Sequence, residues 1–284
     1  MFQRFFLMST ILIAGCGYVG NALASRLVQN GHQVFGMRRN PSALADGVQP
    51  LTANLFEPQS LQNIPPELDA VVYAASADGG ETDAYRAAYV TGLRNMIEAA
   101  QSRCPSLARF IFTSSTGVYG QDQGEWVDEN TPPCPSRETG EILLEGEQLL
   151  LQSGLPASVV RFSGIYGPGR DRFIRMARSP EARIRPADQA FTNRIHRDDC
   201  AAVLEHLLFR DNSPELVVGT DHDPATRAEI LRWLAGKLDI PIPEEEGPLP
   251  ASLNKRIRNQ RLLETGYDFI YPTFREGFDM MLSS

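Results

Sequence analysis

Lysine is almost missing from this chain of 284 residues: of 27 basic residues only Lys237 and Lys255 are lysines, and none precedes position 237. Any role that needs a lysine ammonium is thereby excluded from the first two thirds of the sequence. Positive charge is also short overall. The 27 basic residues stand against 35 acidic ones for a net charge of -8, which argues against nucleic acid as a partner, since such binding draws on clustered cations. The four cysteines, Cys16, Cys104, Cys134 and Cys200, are scattered. They form no CxxC pair and lack the density of a secreted disulfide framework, so a reducing cytoplasm is expected and no metal site. No run approaches the roughly 20 apolar residues of a membrane span. The start, MFQRFFLMSTILIAG, has the apolarity of a signal peptide, but the run passes straight into a glycine loop that has to stay attached. Met8 is a candidate start, which makes residues 1–7 an extension.

What is present is an ordinary globular balance, 42% hydrophobic, 22% charged and 8% aromatic, in a chain long enough for one large domain or a main domain with a smaller one. The first half alternates short β-type apolar runs at 11–14, 33–37, 70–74, 109–113 and 157–162 with helical segments at 19–29, 84–102 and 140–151. That order is the pattern of βαβ units and a parallel sheet, an α/β doubly wound Rossmann architecture. Gly31 is placed to end the first helix. After Phe162 the texture turns to Gly, Pro and Arg, as in GIYGPGRDRF. The expected division is a Rossmann domain over 1–165, rejoined by 194–222, and a smaller region from 166–193 and 223–284. Thr226 and Glu229 stand at capping-box spacing ahead of a helix in ATRAEILRWLAGKL. No fixed repeat is visible.

Gly15, Gly17 and Gly20 in ILIAGCGYVG give G-x-G-x-x-G between an apolar strand and a helix. The first glycine permits the tight turn, the second lets backbone N–H groups approach a pyrophosphate, and the third lets helix pack on strand. Tyr18 and Val19 open that helix. At the end of the second strand an NAD-binding chain offers an acidic residue to the ribose hydroxyls; HQVFGMRRNP offers Arg38 and Arg39 instead. Guanidinium groups suit the 2′-phosphate of NADP, so NADP is expected ahead of NAD. Asn54 and Leu55, after the third strand, are candidates for the adenine edge and face, with a plain loop asparagine as the other reading.

The run of motifs GCGYVG (15–20), DAVVYAAS (69–76), YVTGLRNMIEAA (89–100), FIFTSSTGVYG (110–120), VVRFSGIYGPG (159–169) and RIHRDDCA (194–201) resembles the extended short-chain dehydrogenase/reductase superfamily, in particular its atypical epimerase/dehydratase-like members. The resemblance covers nearly the whole chain. It implies an NAD(P)-binding Rossmann domain with substrate held against a smaller C-terminal region. It also implies Ala74 and Ala75 near the cofactor's phosphates and ribose, Ser163, Gly164 and Ile165 near the nicotinamide, Ser115 on the reacting substrate oxygen, and a dimer through a helix bundle.

One part of the pattern is missing. The superfamily's tyrosine passes the proton, and a lysine four residues later lowers its pKa. Aligning the helix on Glu147 puts Thr139 and Leu143 there, aligning on Glu145 puts Arg137 and Glu141, and no shift supplies a lysine the half does not contain. Tyr89 also stands where the superfamily has a structural asparagine. Tyr119 and Tyr166 are the remaining candidate proton donors, each with an alternative reading as packing. His196, Asp198 and Asp199 read foremost as anchors. Arg172 and Arg175, on one helical face, suit an anionic small-molecule substrate or simply a solvated surface; Lys255, Arg256, Arg258 and Arg261 read as a surface patch. Two functions stay open: an NADP-dependent oxidoreductase or epimerase/dehydratase-like enzyme acting on a sugar nucleotide or other small carbonyl or hydroxyl compound through Ser115 and a different proton donor, and a noncatalytic NADP-binding sensor.

Overall fold

The computed structural model describes residues 8–283; the expectation for segment 1–7 lies outside the described residues. The elements begin with β1 (Thr10–Ala14), α1 (Tyr18–Gln29), β2 (Gln33–Arg38), β3 (Gln49–Thr52), β4 (Ala70–Tyr73), α2 (Thr82–Arg86), α3 (Gly92–Arg103) and β5 (Arg109–Ser115). They continue through β6 (Gln123–Val127), α4 (Glu138–Leu151), β7 (Ala157–Phe162), β8 (Gly164–Tyr166), α5 (Arg172–Arg178), β9 (Arg194–His196) and α6 (Arg197–Leu208). Last come β10 (Leu216–Gly219), α7 (Arg227–Leu238), β11 (Asn254–Ile257), α8 (Gln260–Glu264) and α9 (Phe274–Ser283).

Seven strands form one sheet in the order β10-β7-β5-β4-β1-β2-β3, the α/β doubly wound class read from the sequence. Ile11, Leu12, Ile13, Val71 and Val72 are fully buried, as apolar parallel strands covered on both faces must be. Because β1 pairs with β2 on one side and with β4 on the other, the strand order reverses between β1 and β4. In open sheets of this kind the crevice at the carboxyl ends of the strands flanking that reversal is where ligands bind. Those ends are Ala14–Gly15 and Tyr73–Ala74. Gly31 follows α1 with φ +84°, the left-handed conformation that ends a helix.

Two compact units divide the chain: residues up to Val118 with Pro135–Arg161 and Cys200–Val217, and Tyr119–Cys134 with Phe162–Asp199 and everything from Val218 onward. In the first, the single helix expected over 84–102 is α2 and α3 joined by one π-turn, Ala87–Thr91. On this turn the Ala88 carbonyl accepts a hydrogen bond from the buried Tyr73 hydroxyl at 2.5 Å, and such turns are common beside functional sites. In the second, Tyr166, Ile174, Ile184, Leu231, Leu234, Phe274 and Phe278 make an apolar core. The capping box opening α7 is present: Thr226 Oγ1 accepts from the Glu229 N–H (3.1 Å), and a Glu229 carboxylate oxygen accepts from the Thr226 N–H (2.6 Å). Strands β6 and β11 pair in parallel within this unit; no regular pattern in the sequence announces them.

Candidate functional site

Gly15 has φ +87°, and a β-carbon there would lie 2.7 Å from the Ala75 side chain and closer still to its backbone. The glycine loop and the segment after β4 are therefore pressed together at the reversal point. A β-carbon at Gly20 would come within 2.8 Å of the Gly15 carbonyl and 3.0 Å of Ile13, so the third glycine sets how closely α1 seats on β1. At Gly17 the first atom met is 3.9 Å away. That side of the loop is open, as backbone approach to a pyrophosphate requires. Helix α1 has no side-chain cap and no acidic residue in its first turn, which leaves its positive end unopposed for an anion. Tyr18 and Val19 occupy that first turn, half-buried. These residues fit a dinucleotide.

The ribose-facing corner carries no carboxylate from β2. Arg38 is the last residue of β2, and among the described residues no carboxylate lies within ion-pair distance of it. Burial pushes the Cys16 thiol in the glycine loop up to about 11, and the Arg38 guanidinium pulls it back, which places that charge beside the loop. Arg39 is engaged: it pairs with Asp78 at 2.5 Å, both side chains mostly exposed. Such a surface pair is worth at most about 1 kcal/mol, little enough for a phosphate to displace. Asn54 serves its own loop, donating to Glu57 (2.7 Å) and accepting from the Phe56 N–H (3.2 Å). Leu55 is half-buried, its carbonyl accepting from Asn95 (2.8 Å).

Along β5 three hydroxyls in succession go to three places. Thr113 donates to the Tyr73 carbonyl (3.2 Å), Ser114 donates to Glu147 (2.6 Å), and Ser115 accepts from the Gly117 N–H (3.1 Å). Ser115 is half-exposed at the strand's carboxyl end with its own proton uncommitted in that contact. Glu147 faces the sheet from α4 and holds the Arg161 guanidinium through Nε (3.0 Å) and a terminal nitrogen (2.6 Å). Their side chains are 4% and 5% exposed. Glu145 is on the outer face, paired with Arg86. The sheet-facing stripe of α4 is thus Thr139, Leu143 and Glu147 at i, i+4 and i+8 spacing, and neither a threonine hydroxyl nor a leucine exchanges a proton near neutral pH. The Tyr89 phenol, on the π-turn, is pushed up by burial and by Tyr85 beside it, while a hydrogen bond from the Ala77 backbone pulls it down.

The other residues singled out in the sequence sit in the second unit. Tyr119 is 1% exposed and its hydroxyl donates to the Asp128 carbonyl (2.8 Å). Tyr166 is buried between the rings of His196 and Phe278 at 5.2 and 4.9 Å, with Gly277 against its hydroxyl, and burial drives its phenol far up. Both geometries are those of packing. His196, held neutral by burial that takes it down to about 4, accepts from the Asp198 N–H (3.2 Å). Asp199 accepts from the Tyr267 hydroxyl (2.8 Å) and the Ile270 and Tyr271 N–H groups (2.8 and 3.0 Å), the anchoring arrangement. Ser163 is buried, its N–H on the Gly219 carbonyl (3.0 Å); Gly164 donates to the Asn193 carbonyl (3.1 Å), and Ile165 pairs with Ile195. Arg175 is tied to Asp171 (2.9 Å) and Arg172 is exposed. Lys255 departs from the surface reading: it is half-buried, because β11 pairs with β6 and turns it inward.

The NAD dependent epimerase/dehydratase family matches residues 11–203. The chain belongs to this family. A solved structure from Methylobacillus flagellatus, described as an NAD-dependent epimerase/dehydratase, is 41% identical, covers 97% of this chain and 98% of its own, and superposes with a TM-score of 0.85. Among curated relatives, protein YeeZ of Escherichia coli K12 is 27% identical over 283 residues, 93% of this chain and 97% of its own length. A 2-alkyl-3-oxoalkanoate reductase of Stenotrophomonas maltophilia is 27% identical over 259 residues, 82% of this chain and 77% of its own. Membership makes this an α/β protein of the oxidoreductase and epimerase kind, built on a nicotinamide coenzyme site.

Proposed function

We propose that this protein is an NADP(H)-dependent oxidoreductase acting on a small carbonyl or hydroxyl compound. The observation that carries the coenzyme choice is Arg38 at the end of β2, beside the glycine loop, where no carboxylate stands to repel a 2′-phosphate. The bound coenzyme supplies a hydride to, or takes one from, a substrate carbon. Gly15, Gly17 and Gly20 with the uncapped start of α1 would hold its pyrophosphate, and the Ser115 hydroxyl, keeping its proton, would hydrogen-bond the substrate oxygen and polarise it. The relative that reduces an oxoalkanoate supports a carbonyl substrate, and the family's epimerases keep a sugar nucleotide in view. Calorimetry tests the reading: NADPH is expected to bind at least tenfold more tightly than NADH, and Arg38→Ala to abolish the difference. Equal dissociation constants in the unaltered protein refute it.

The α4 stripe of Thr139 and Leu143 supports a second reading, a noncatalytic NADP-binding sensor. Turnover separates the two. A Ser115→Ala protein that keeps NADPH affinity while losing NADPH oxidation over a panel of carbonyl compounds supports the enzyme; an unaltered protein that binds NADPH and oxidises it with none of them supports the sensor.

A further inference from the structure

One ion pair joins the two loops that leave the sheet on either side of β1. Strands β2 and β4 both pair with β1, and Met37, Ala14 and Tyr73 stand abreast at their carboxyl ends. Arg39 lies beyond that line on the β2 side and Asp78 beyond it on the β4 side. A terminal nitrogen of Arg39 nonetheless donates to the Asp78 carboxylate at 2.5 Å. Two strand spacings, about 10 Å, separate β2 from β4. The pair therefore reaches across the end of β1, where the chain leaves the sheet as the glycine loop. Both residues belong to the first compact unit.

The segment that carries Asp78 is fixed at its two ends and loose between them. On one side the Ala77 backbone hydrogen-bonds the Tyr89 phenol; on the other the Thr82 hydroxyl donates to Glu138 at 3.1 Å. Asp78, Gly79 and Gly80 are exposed, and Gly79 has φ +111°, a conformation that favours glycine. A β-carbon at Gly79 or Gly80 would meet nothing within 4 Å, so close packing does not account for either glycine. Among the described residues, the Arg39 contact is the one that ties the Asp78 side chain across the crevice.

Arg39 follows Arg38 at the end of the second strand, the corner where a Rossmann chain meets the ribose 2′ position. A carboxylate and a phosphate compete there for one guanidinium. We propose that Asp78 is a built-in competitor for the 2′-phosphate: its carboxylate holds Arg39 in the coenzyme-free protein, and the 2′-phosphate of NADP(H) displaces it and opens the strap across the glycine loop. NAD(H) brings no group to exchange and leaves the pair closed. Asp78 has this role only if the NADP(H) reading holds. Because one anion replaces another, Arg39 adds little net preference while Asp78 is present. Arg38, with no carboxylate within ion-pair distance among the described residues, carries the discrimination.

Calorimetry on the full chain at constant ionic strength tests the exchange, with NADPH, NADH, adenosine 2′-monophosphate and adenosine 5′-monophosphate as probes. Asp78→Asn is expected to tighten NADPH and the 2′-monophosphate about twofold to fivefold, the range of an exposed ion pair, and to leave NADH and the 5′-monophosphate unchanged. Asp78→Glu, which keeps the charge, is expected to match the unaltered protein. In an Arg39→Met background the Asp78→Asn gain is expected to vanish. Persistence of the gain there overturns the proposal, since Asp78 then acts by plain repulsion and not by holding Arg39. An equal gain for NADPH and NADH also overturns it, as the strap then bars either coenzyme alike. If NADPH binds more tightly than NADH but Asp78→Asn moves neither, the exchange fails and the NADP(H) reading stands. Equal affinities in the unaltered protein strike both.

Discussion

Replacing Glu147 by Gln leaves the Arg161 guanidinium with its Nε and terminal-nitrogen donors aimed at a neutral amide inside a pocket where both side chains are about 95% covered. The Ser114 hydroxyl, 2.6 Å from the same carboxylate, loses a charged acceptor as well. Breaking a buried pair from one side costs about 3–5 kcal/mol because the surviving charge stays desolvated, and the serine bond adds about 1 kcal/mol of the 1.5–3 typical of bonds to charged groups. The expected loss is therefore about 5 kcal/mol, with a fall in melting temperature of roughly 10–20 °C, taking the 2–4 °C per kcal/mol seen in chains of 150–250 residues. Exchanging both partners for apolar residues of similar volume, Glu147→Leu with Arg161→Met, is expected to recover most of the loss, as burying the pair had already cost desolvation. Urea denaturation of the single variants Glu147→Leu and Arg161→Met and of the double variant closes a double-mutant cycle, with Glu147→Gln measured beside it. A cost below about 1 kcal/mol in both single variants refutes the view of α4 as pinned to β5 and β7 by this network. A double variant no more stable than Glu147→Gln refutes the desolvation argument specifically.

Gly15→Ala should bind NADPH at least a hundredfold more weakly, because the β-carbon must displace Ala75 and a left-handed alanine adds roughly 1–2 kcal/mol; fluorescence titration with unchanged affinity contradicts it. In the second unit, burial pushes Asp221 up to about 8, with Arg194 opposing, so the folded state keeps a proton the unfolded chain releases near the ordinary value of about 4. The stability from this group is whole below that ordinary value and is lost as pH rises through the folded one. Asp221→Asn is accordingly expected to flatten the decline in melting temperature between about pH 5 and pH 8, and an unaltered slope argues against it.

The glycine loop was legible in the sequence because its demands are local. A strand, a tight turn needing positive φ, and a helix seated within van der Waals reach of the strand each leave a glycine at a set spacing. The same locality made Gly31 and the Thr226–Glu229 box readable. Partnerships across the chain were not. Glu147 served in the sequence only to align a helix, and nothing in its neighbourhood told that Ser114 and Arg161, 33 and 14 residues away, would converge on it. Arg39 and Asp78 are separated by 39 residues, so one of the two phosphate candidates proved already engaged. The π-turn escaped because a widened turn keeps helical hydrophobic spacing on either side.

The order of alternating apolar runs, the bare amides after β1 and the missing lysine were settled by the order of residue types, since each follows from sterics or composition within a few positions. Which residues of α4 face the sheet, which tyrosines are walls, and that Lys255 is turned inward were decided only when strands far apart in the chain paired. Burial and ion pairing are properties of a packed environment, and no single segment carries that environment in its own residues.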